Sequence, residues 1–213
     1  KSDGFSPRFL VSYNLTDVVT VNAQASKGFR LGGVNDPLNA TLCTADDLAI
    51  FGSFQAYDDE TLWNYEAGVK INTGRTTFNA AGFYTDIKNL QVTLDAGSCS
   101  SRISFNVPDA HTIGFEWEFK HEVATGLDFS VAGSWLNAEF DSTVVDGSSN
   151  VIAGLREGNR LASVPQFQVA ATAQYSFPLG RGEGFLAASF QHVGNRYTQP
   201  SDQENNPRSF VSG

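Results

Sequence analysis

Apolar and polar residues alternate one by one along most of this chain, and this alternation constrains the fold more than any other feature. Between residues 61 and 71 the side chains of Trp63, Tyr65 and Val69 alternate with those of Asn64, Glu66 and Lys70. Successive side chains of a β-strand point to opposite faces of the sheet, so the pattern predicts a strand with one apolar and one polar face. We predict eight such strands, at 9–15, 19–25, 61–71, 76–94, 112–120, 127–135, 165–177 and 186–190, and a possible ninth beginning at 208–211.

No segment keeps a helical spacing of apolar residues for three turns, so we predict an all-β fold. The connections between the strands alternate in length, and in an up-and-down sheet this sorts short turns to one end and long loops to the other. Outer-membrane barrels have this asymmetry, whereas a soluble sandwich with Greek-key connections has no reason for it. The short connections are 14–17, 72–75, 122–126 and 178–184, and the long ones are 30–57, 95–101, 141–160 and 194–207.

Strand length and the composition of the two faces lead to the same prediction. A strand from 61 to 71 extends about 36 Å at roughly 3.3 Å per residue, and a tilt of about 40° reduces its height to about 27 Å. This height matches the apolar band of roughly 25 Å on transmembrane barrels. The polar faces carry Gln, Ser, Thr and Asn more than Lys or Glu. We therefore predict an antiparallel, up-and-down transmembrane β-barrel segment whose apolar faces meet lipid and whose polar faces line the lumen.

Composition excludes several other classes. The 213 residues carry a formal net charge of −9 with scattered basic residues, which argues against nucleic acid as a partner. No apolar run approaches the roughly 18 residues that a membrane helix needs. The chain has no Met and begins without an apolar signal segment, so we expect its true N-terminus to lie elsewhere.

Five short motifs, in their order and spacing, carry a resemblance to a known family. The sequence YDDETLWNYEAGVK at 57–70 resembles a barrel strand of TonB-dependent outer-membrane receptors, and the segment 28–35 looks most like receptors of the alphaproteobacterial type. Together the motifs extend over more than half of the chain. The other four are SPRF at 6–9, ASKGFR at 25–30, GFYTDIKNLQV at 82–92 and GFEWE at 114–118.

The resemblance implies an importer in the bacterial outer membrane, with a barrel of about 22 strands and an N-terminal plug inside it. Such a receptor binds a scarce small-molecule solute, such as a ferric siderophore, and imports it when TonB acts on the plug. This sequence contains no plug and no TonB-binding segment, so we expect residues 1–213 to be one partial barrel domain that lacks the final strands. Gly68 and Gly114 fall on the predicted inner face, where they leave room for whatever fills the barrel.

The two cysteines and four arginines are the candidate site residues. Cys43 and Cys99 both lie in long loops on the oxidising outer side, so we favour a disulfide between them over two unpaired thiols. Arginines near the outer mouth are candidate contacts for an anionic ligand such as a ferric siderophore. Lipopolysaccharide phosphates or loop carboxylates are alternative partners for the same side chains. These arginines are Arg30, Arg102, Arg156 and Arg160.

No residue pattern indicates catalysis, a metal site or a cofactor. His111, His121 and His192 lack the spacing of zinc ligands. The acidic clusters at 46–47, 58–60 and 202–204 lack an EF-hand spacing and are better explained as solvated loop charge. No catalytic triad or pair of carboxylates is apparent, so we do not expect an enzyme.

Three functional hypotheses remain open at this point. The first is the TonB-dependent importer, which contacts outer-membrane lipid and lipopolysaccharide through its wall. The second is a complete eight-stranded barrel with a structural or adhesive role, because eight strands are just enough to close. The third is a soluble β-sandwich binding module.

Overall fold

The structure is a computed structural model that describes residues 4–205, and it consists almost entirely of long antiparallel strands. Two short helices lie in the loops, α1 at Ala45–Phe51 and α2 at Asp202–Asn205, and a 3-10 turn lies at Gly97–Cys99. None of the helices in the described range has the length and apolar character needed to cross a membrane. The strands are β1 Arg8–Asn14, β2 Val19–Arg30, β3 Gly33–Val34, β4 Ala56–Tyr57, β5 Glu60–Asn72, β6 Thr76–Asp95, β7 Arg102–Ala124, β8 Leu127–Phe140, β9 Phe167–Leu179 and β10 Gly182–Val193.

Eight of these strands form one sheet in chain order, β1-β2-β5-β6-β7-β8-β9-β10, and β3 pairs with β4 in a separate hairpin. Every neighbouring pair is antiparallel, which confirms the predicted up-and-down arrangement. The possible ninth strand, at 208–211, lies outside the described residues. β1 and β10 form the two edges of the sheet. The described strands therefore do not close on themselves, and the structure does not have the form of a complete eight-stranded barrel.

The connections are sorted by length as the sequence predicts. Short turns at 15–18, 73–75, 125–126 and 180–181 join successive strands at one end of the sheet. The other end carries the connections 31–59, 96–101 and 141–166. We call this second end the outer end.

The β6–β7 hairpin differs from the sequence expectation. β7 begins at Arg102, whereas the predicted strand began at 112, so the hairpin extends beyond its neighbours. The alternation continues through Ile103, Phe105 and Val107, but Pro108 interrupts the pattern and hides the continuity. Residues 90–95 and 102–107 therefore pair with each other as an extension of β6 and β7.

The two faces of the sheet have the polarity that the sequence predicts. A groove of about 770 Å³ runs along the inner face, where its lining includes Arg8, Gln24, Glu66 and Glu118. The opposite face exposes a series of large apolar and aromatic side chains. They include Tyr65, Tyr84, Ile113, Phe115, Trp135, Phe167, Tyr175 and Phe190.

One detail of the inner face departs from expectation. A Cβ atom added to Gly114 would lie 2.5 Å from Cζ of Phe83, so the phenyl ring occupies the space over this glycine. The expectation that Gly114 leaves room for the contents of the barrel is wrong, because the neighbouring strand fills that room.

The buried core does not lie in the wall of the sheet. A wall one layer thick has no second layer to pack against, so apolar side chains become buried where loops fold onto the extended hairpin at the outer end. The buried side chains there are Phe51, Ile87, Leu94, Ala96, Cys99, Ile103, Phe105, Val107, Ala110, Phe140, Ile152 and Leu155.

Candidate functional site: the outer-loop assembly

The candidate site is built around the projecting part of the β6–β7 hairpin, residues 90–107, which we call the hairpin arm. Phe105 on the arm stacks on Phe54 from loop 31–59, with ring centroids 4.7 Å apart. Ile152 and Leu155 from loop 141–166 belong to the same buried cluster. The arm therefore joins two long loops into one packed assembly.

A disulfide between Cys43 and Cys99 ties loop 31–59 to the tip of the arm in the structure. Polar contacts surround this link. The Asp47 carboxylate in α1 accepts the backbone N–H of Ser98 at 2.9 Å and its hydroxyl at 2.5 Å. These bonds from Ser98, together with the Thr44 hydroxyl, hold the pKa of Asp47 below its ordinary value. An ionised Asp47 thus fastens α1 to the arm.

Arg30 and Glu60 form an ion pair at the base of the arm. The guanidinium Nη2 of Arg30 lies 2.6 Å from Oε2 of Glu60 and donates to the backbone carbonyl of Gln91 at 2.8 Å. The Glu60 side chain is 11% exposed and that of Arg30 is 54% exposed. Arg30 is thus already engaged within the protein, although part of it reaches solvent.

Arg160 is engaged in a different part of the assembly. Its Nη2 donates to the carbonyl of Val164 at 2.9 Å, and its guanidinium lies 5.5 Å from the centre of the Tyr197 ring. Burial is the main cause that lowers its pKa from the ordinary value. The Gln203 side chain accepts from the backbone N–H of Arg160 and donates to its carbonyl, at 2.9 and 2.8 Å.

The remaining two arginines are exposed. Arg102 begins the second strand of the arm and faces Asp95 at 3.4 Å, with both side chains largely exposed. Arg156 is an exposed residue of loop 141–166. Arg30, Arg102 and Arg160 therefore contact three different partners, and the structure does not assemble them into one anion pocket.

The polar groove below the loops contains a chain of hydrogen bonds across the first strands. Arg8 donates to Oε1 of Gln24 at 2.7 Å, and Gln24 donates to Oε2 of Glu66 at 3.0 Å. On the next two strands, β6 and β7, Asn79 donates to Glu118 at 3.1 Å. Such a surface presents donors and acceptors to whatever occupies the interior.

A row of charged residues on the outward face near the outer end was not anticipated from the sequence. Lys88 lies 3.3 Å from the Asp86 carboxylate and 2.7 Å from that of Asp109, and Nδ1 of His111 lies 2.7 Å from Asp141. These groups follow directly above the aromatic positions of the same strands. On β6 the outward-facing side chains change from the aromatic Tyr84 to the charged Asp86. This change marks the upper limit of the apolar band.

The three histidines have local partners. Besides the His111 contact, Nδ1 of His121 lies 2.8 Å from the Thr76 hydroxyl, and the ring of His192 neighbours that of Phe167. Among residues 4–205 no three His, Cys, Asp or Glu side chains are grouped as a metal ion would require.

Long antiparallel strands with a polar inner face, short turns at one end and packed loops at the other define a section of the wall of an outer-membrane β-barrel. The chain belongs to the family described as "TonB dependent receptor-like, beta-barrel", whose model matches residues 1–212.

Relatives of this chain have names that denote receptors. The pesticin receptor of Yersinia pestis is 28% identical over 155 residues, which cover 73% of this chain and 20% of that protein. The metal-pseudopaline receptor CntO of Pseudomonas aeruginosa is 28% identical over 200 residues, which cover 92% of this chain and 24% of that protein. The chain thus spans about a fifth to a quarter of the length of these relatives.

Solved structures share the fold. The ferric yersiniabactin uptake receptor FyuA from Yersinia pestis matches with a TM-score of 0.67 and 23% identity over 92% of this chain and 27% of that one. The ferric preacinetobactin receptor BauA from Acinetobacter baumannii matches with a TM-score of 0.64 and 14% identity over 92% of this chain and 26% of that one.

Proposed function

We propose that this chain is part of an outer-membrane receptor that captures a scarce solute at its outer loops and imports it with energy supplied through TonB. In this proposal residues 1–213 are one partial barrel domain in the bacterial outer membrane. TonB acts through a plug elsewhere in the receptor, and the outward face contacts lipid and lipopolysaccharide. Membership of the receptor family and the names of the relatives support this function.

The observation that carries the proposal is the packed loop assembly at the outer end of a sheet with a polar inner groove. A wall needs no buried core to span a membrane, and here the core lies in the loops. Folding loops into a fixed shape lowers the entropy lost when they bind a solute. The groove below them offers a polar path along the inner face.

The proposed ligand is an anionic metal chelate of the siderophore type. Receptors named for ferric yersiniabactin, ferric preacinetobactin and metal-pseudopaline are similar to this chain. Arg102 and Arg156 have exposed side chains at the outer end, and Arg30 is partly exposed on the inner side. We propose these arginines, with Arg160, as contacts for such an anion. Lipopolysaccharide phosphates and loop carboxylates are the competing partners.

Transport rather than catalysis is the proposed role. The strong polar contacts of the assembly hold loops together, as those of Asp47 and Glu60 do. They do not form a nucleophile with a base, or an acid with a base, beside an open pocket. The relatives named above are receptors.

An uptake experiment tests the proposal. Cells producing the complete receptor that contains residues 1–213, which we call the full chain, are supplied with radiolabelled iron bound to a panel of anionic chelators, and matched cells lack it. We expect accumulation of at least one chelate to require the chain. The Arg102→Ala/Arg156→Ala variant should lower that accumulation, and Arg181→Ala, in the turn at 180–181 at the opposite end, should not. Equal accumulation with and without the chain would refute the proposal, and equal loss in both variants would refute the arginine assignment.

A further inference from the structure

The strand ladder of the β6–β7 hairpin is interrupted where the hairpin arm leaves the wall. Lys88 pairs with Asp109, the next pair is Leu90 with Val107, and the residues between them form no pair. One of these, Asn89, has φ 54°, in the left-handed region that Asn adopts more readily than most residues. Its counterpart is a proline, which has no N–H to donate. Wall and arm are therefore joined by one unpaired residue on each strand.

Glu60, the first residue of β5, lies beside this interruption. Among the residues that the structure describes, Glu60 is the one charged residue that is buried. Its Oε2 accepts the backbone N–H of Gln91 at 2.7 Å and the guanidinium of Arg30 at 2.6 Å. The same guanidinium nitrogen also donates to the carbonyl of Gln91. Hydrogen bonds that involve ionised groups are roughly twice as strong as neutral ones, so these three residues fasten the arm to the ends of β2 and β5.

Other contacts join the arm directly to loop 31–59 and do not involve residues of the eight wall strands below the arm. The backbone N–H of Ser104 on the arm donates to Oδ1 of Asn35 at 2.8 Å, and Asn35 donates to the Ser104 carbonyl at 2.6 Å. The disulfide Cys43–Cys99 joins the same two elements. These contacts tie the arm and this loop to each other independently of Arg30, Glu60 and Gln91.

We propose that Arg30, Glu60 and Gln91 form a latch, and that the hairpin arm, together with the two loops packed on it, turns about Asn89 and Pro108 when the latch opens. Arg30 is then a positioning residue, which holds the arm by neutralising a buried carboxylate. Removing Arg30 leaves Glu60 buried without a counter-charge, which is strongly unfavourable. Glu60 then turns toward water and releases the Gln91 amide. This device depends on the contacts of the chain itself and goes beyond the proposed transport of any particular solute.

Residue-resolved hydrogen exchange of the full chain in lipid bilayers tests this device. In Arg30→Gln we expect the Gln91 amide to exchange roughly tenfold to a hundredfold faster, the loss expected for a hydrogen bond to a charged group. The Ser104 amide should keep its wild-type rate, because it bonds within the moving body. Amides of the wall, such as those between Phe78 and Tyr84, should also be unchanged.

Three further variants separate the latch from a general structural defect. Arg30→Lys restores the charge and should recover part of the protection of Gln91. Arg102→Gln removes an exposed ion pair at the other end of the arm and should leave the exchange rate of the Gln91 amide unchanged. If Arg30→Gln fails to assemble, Glu60→Gln keeps the shape of the latch without its charge, and a faster Gln91 amide is expected there too. An unchanged Gln91 amide would overturn the latch, and joint acceleration of Gln91, Ser104 and the wall would overturn the pivot.

Discussion

The assignment of one face of the sheet to lipid can be tested by substituting two neighbouring residues of β9. Ala171 pairs with Val131 and Phe190 on the apolar face, whereas Ala170 pairs with Ala132 and Gln191 on the polar face. Both sites start as alanine, so replacing each with arginine makes the same chemical change. The two variants differ only in the side of the sheet that receives the charge.

The position of Ala171 along β9 sets the expected penalty. Phe167 and Tyr175 lie four residues away on either side and share its outward face. At roughly 3.3 Å per residue and a tilt of about 40°, each lies about 10 Å from Ala171 along the membrane normal. Ala171 is therefore close to the middle of the apolar band, where arginine on the lipid face costs about 2–4 kcal/mol. At about 1.4 kcal/mol per factor of ten, this lowers the ratio of folded to unfolded protein roughly 30- to 700-fold.

The assay is unfolding of the full chain by guanidinium in lipid vesicles, followed by the heat-dependent shift of gel migration. Ala171→Arg should lose about 2–4 kcal/mol of unfolding free energy. Ala170→Arg should change it by less than about 1 kcal/mol, because its side chain reaches a wet polar groove. Equal penalties in the two variants, or a larger penalty for Ala170→Arg, would refute the assignment of faces.

Three further predictions concern the outer loops. Mass spectrometry of the unreduced chain should find Cys43 and Cys99 in one linked peptide pair, and alkylation of both thiols without reduction would contradict it. Alanine at both Arg156 and Arg160 should lower chelate uptake, and full retention of uptake would remove these residues as ligand contacts. Asp47 has its pKa lowered in the folded protein, so its contribution to anchoring α1 is complete above the unfolded pKa and is lost as pH falls through the folded pKa. Hydrogen exchange of the Ser98 amide should therefore accelerate on acidification below about pH 4, and no such change is expected in Asp47→Asn.

The wall of the barrel could be predicted from the sequence because period two is a property of each strand by itself. In a wall one layer thick, each side chain faces either lipid or lumen, so its polarity reports its direction. The segment from Thr61 to Ile71 follows this rule, and the structure extends the strand by only one residue at each end. The alternation of short and long connections located the long loops at one end.

The second strand of the hairpin arm and α1 escaped prediction for a different reason. The apolar residues Ile103 and Phe105 bury themselves against loops, and the alternation alone does not distinguish a loop from lipid as the partner. Pro108 then divides the strand into two apparent segments. The helix α1 has seven residues, too few to display the periodicity of an amphipathic helix. Tertiary packing decides both elements.

The sequence predicted that arginine side chains lie in the candidate site, but it did not predict which residues they contact. Four arginines near the predicted outer mouth suggested contacts with an anion, and the spacing of the sequence placed Arg30 next to a loop. It did not reveal that Glu60, thirty residues away, would be buried against that guanidinium. Because register between strands sets such pairs, they become visible only once β2 and β5 are aligned.

The decisive measurement is uptake of radiolabelled iron chelates in four matched strains, with and without the full chain and with and without functional TonB. We predict that uptake of at least one chelate falls to background when either the chain or TonB is removed, with no further fall when both are removed. Uptake that persists unchanged after removal of the chain, or that depends on the chain but not on TonB, would contradict the account.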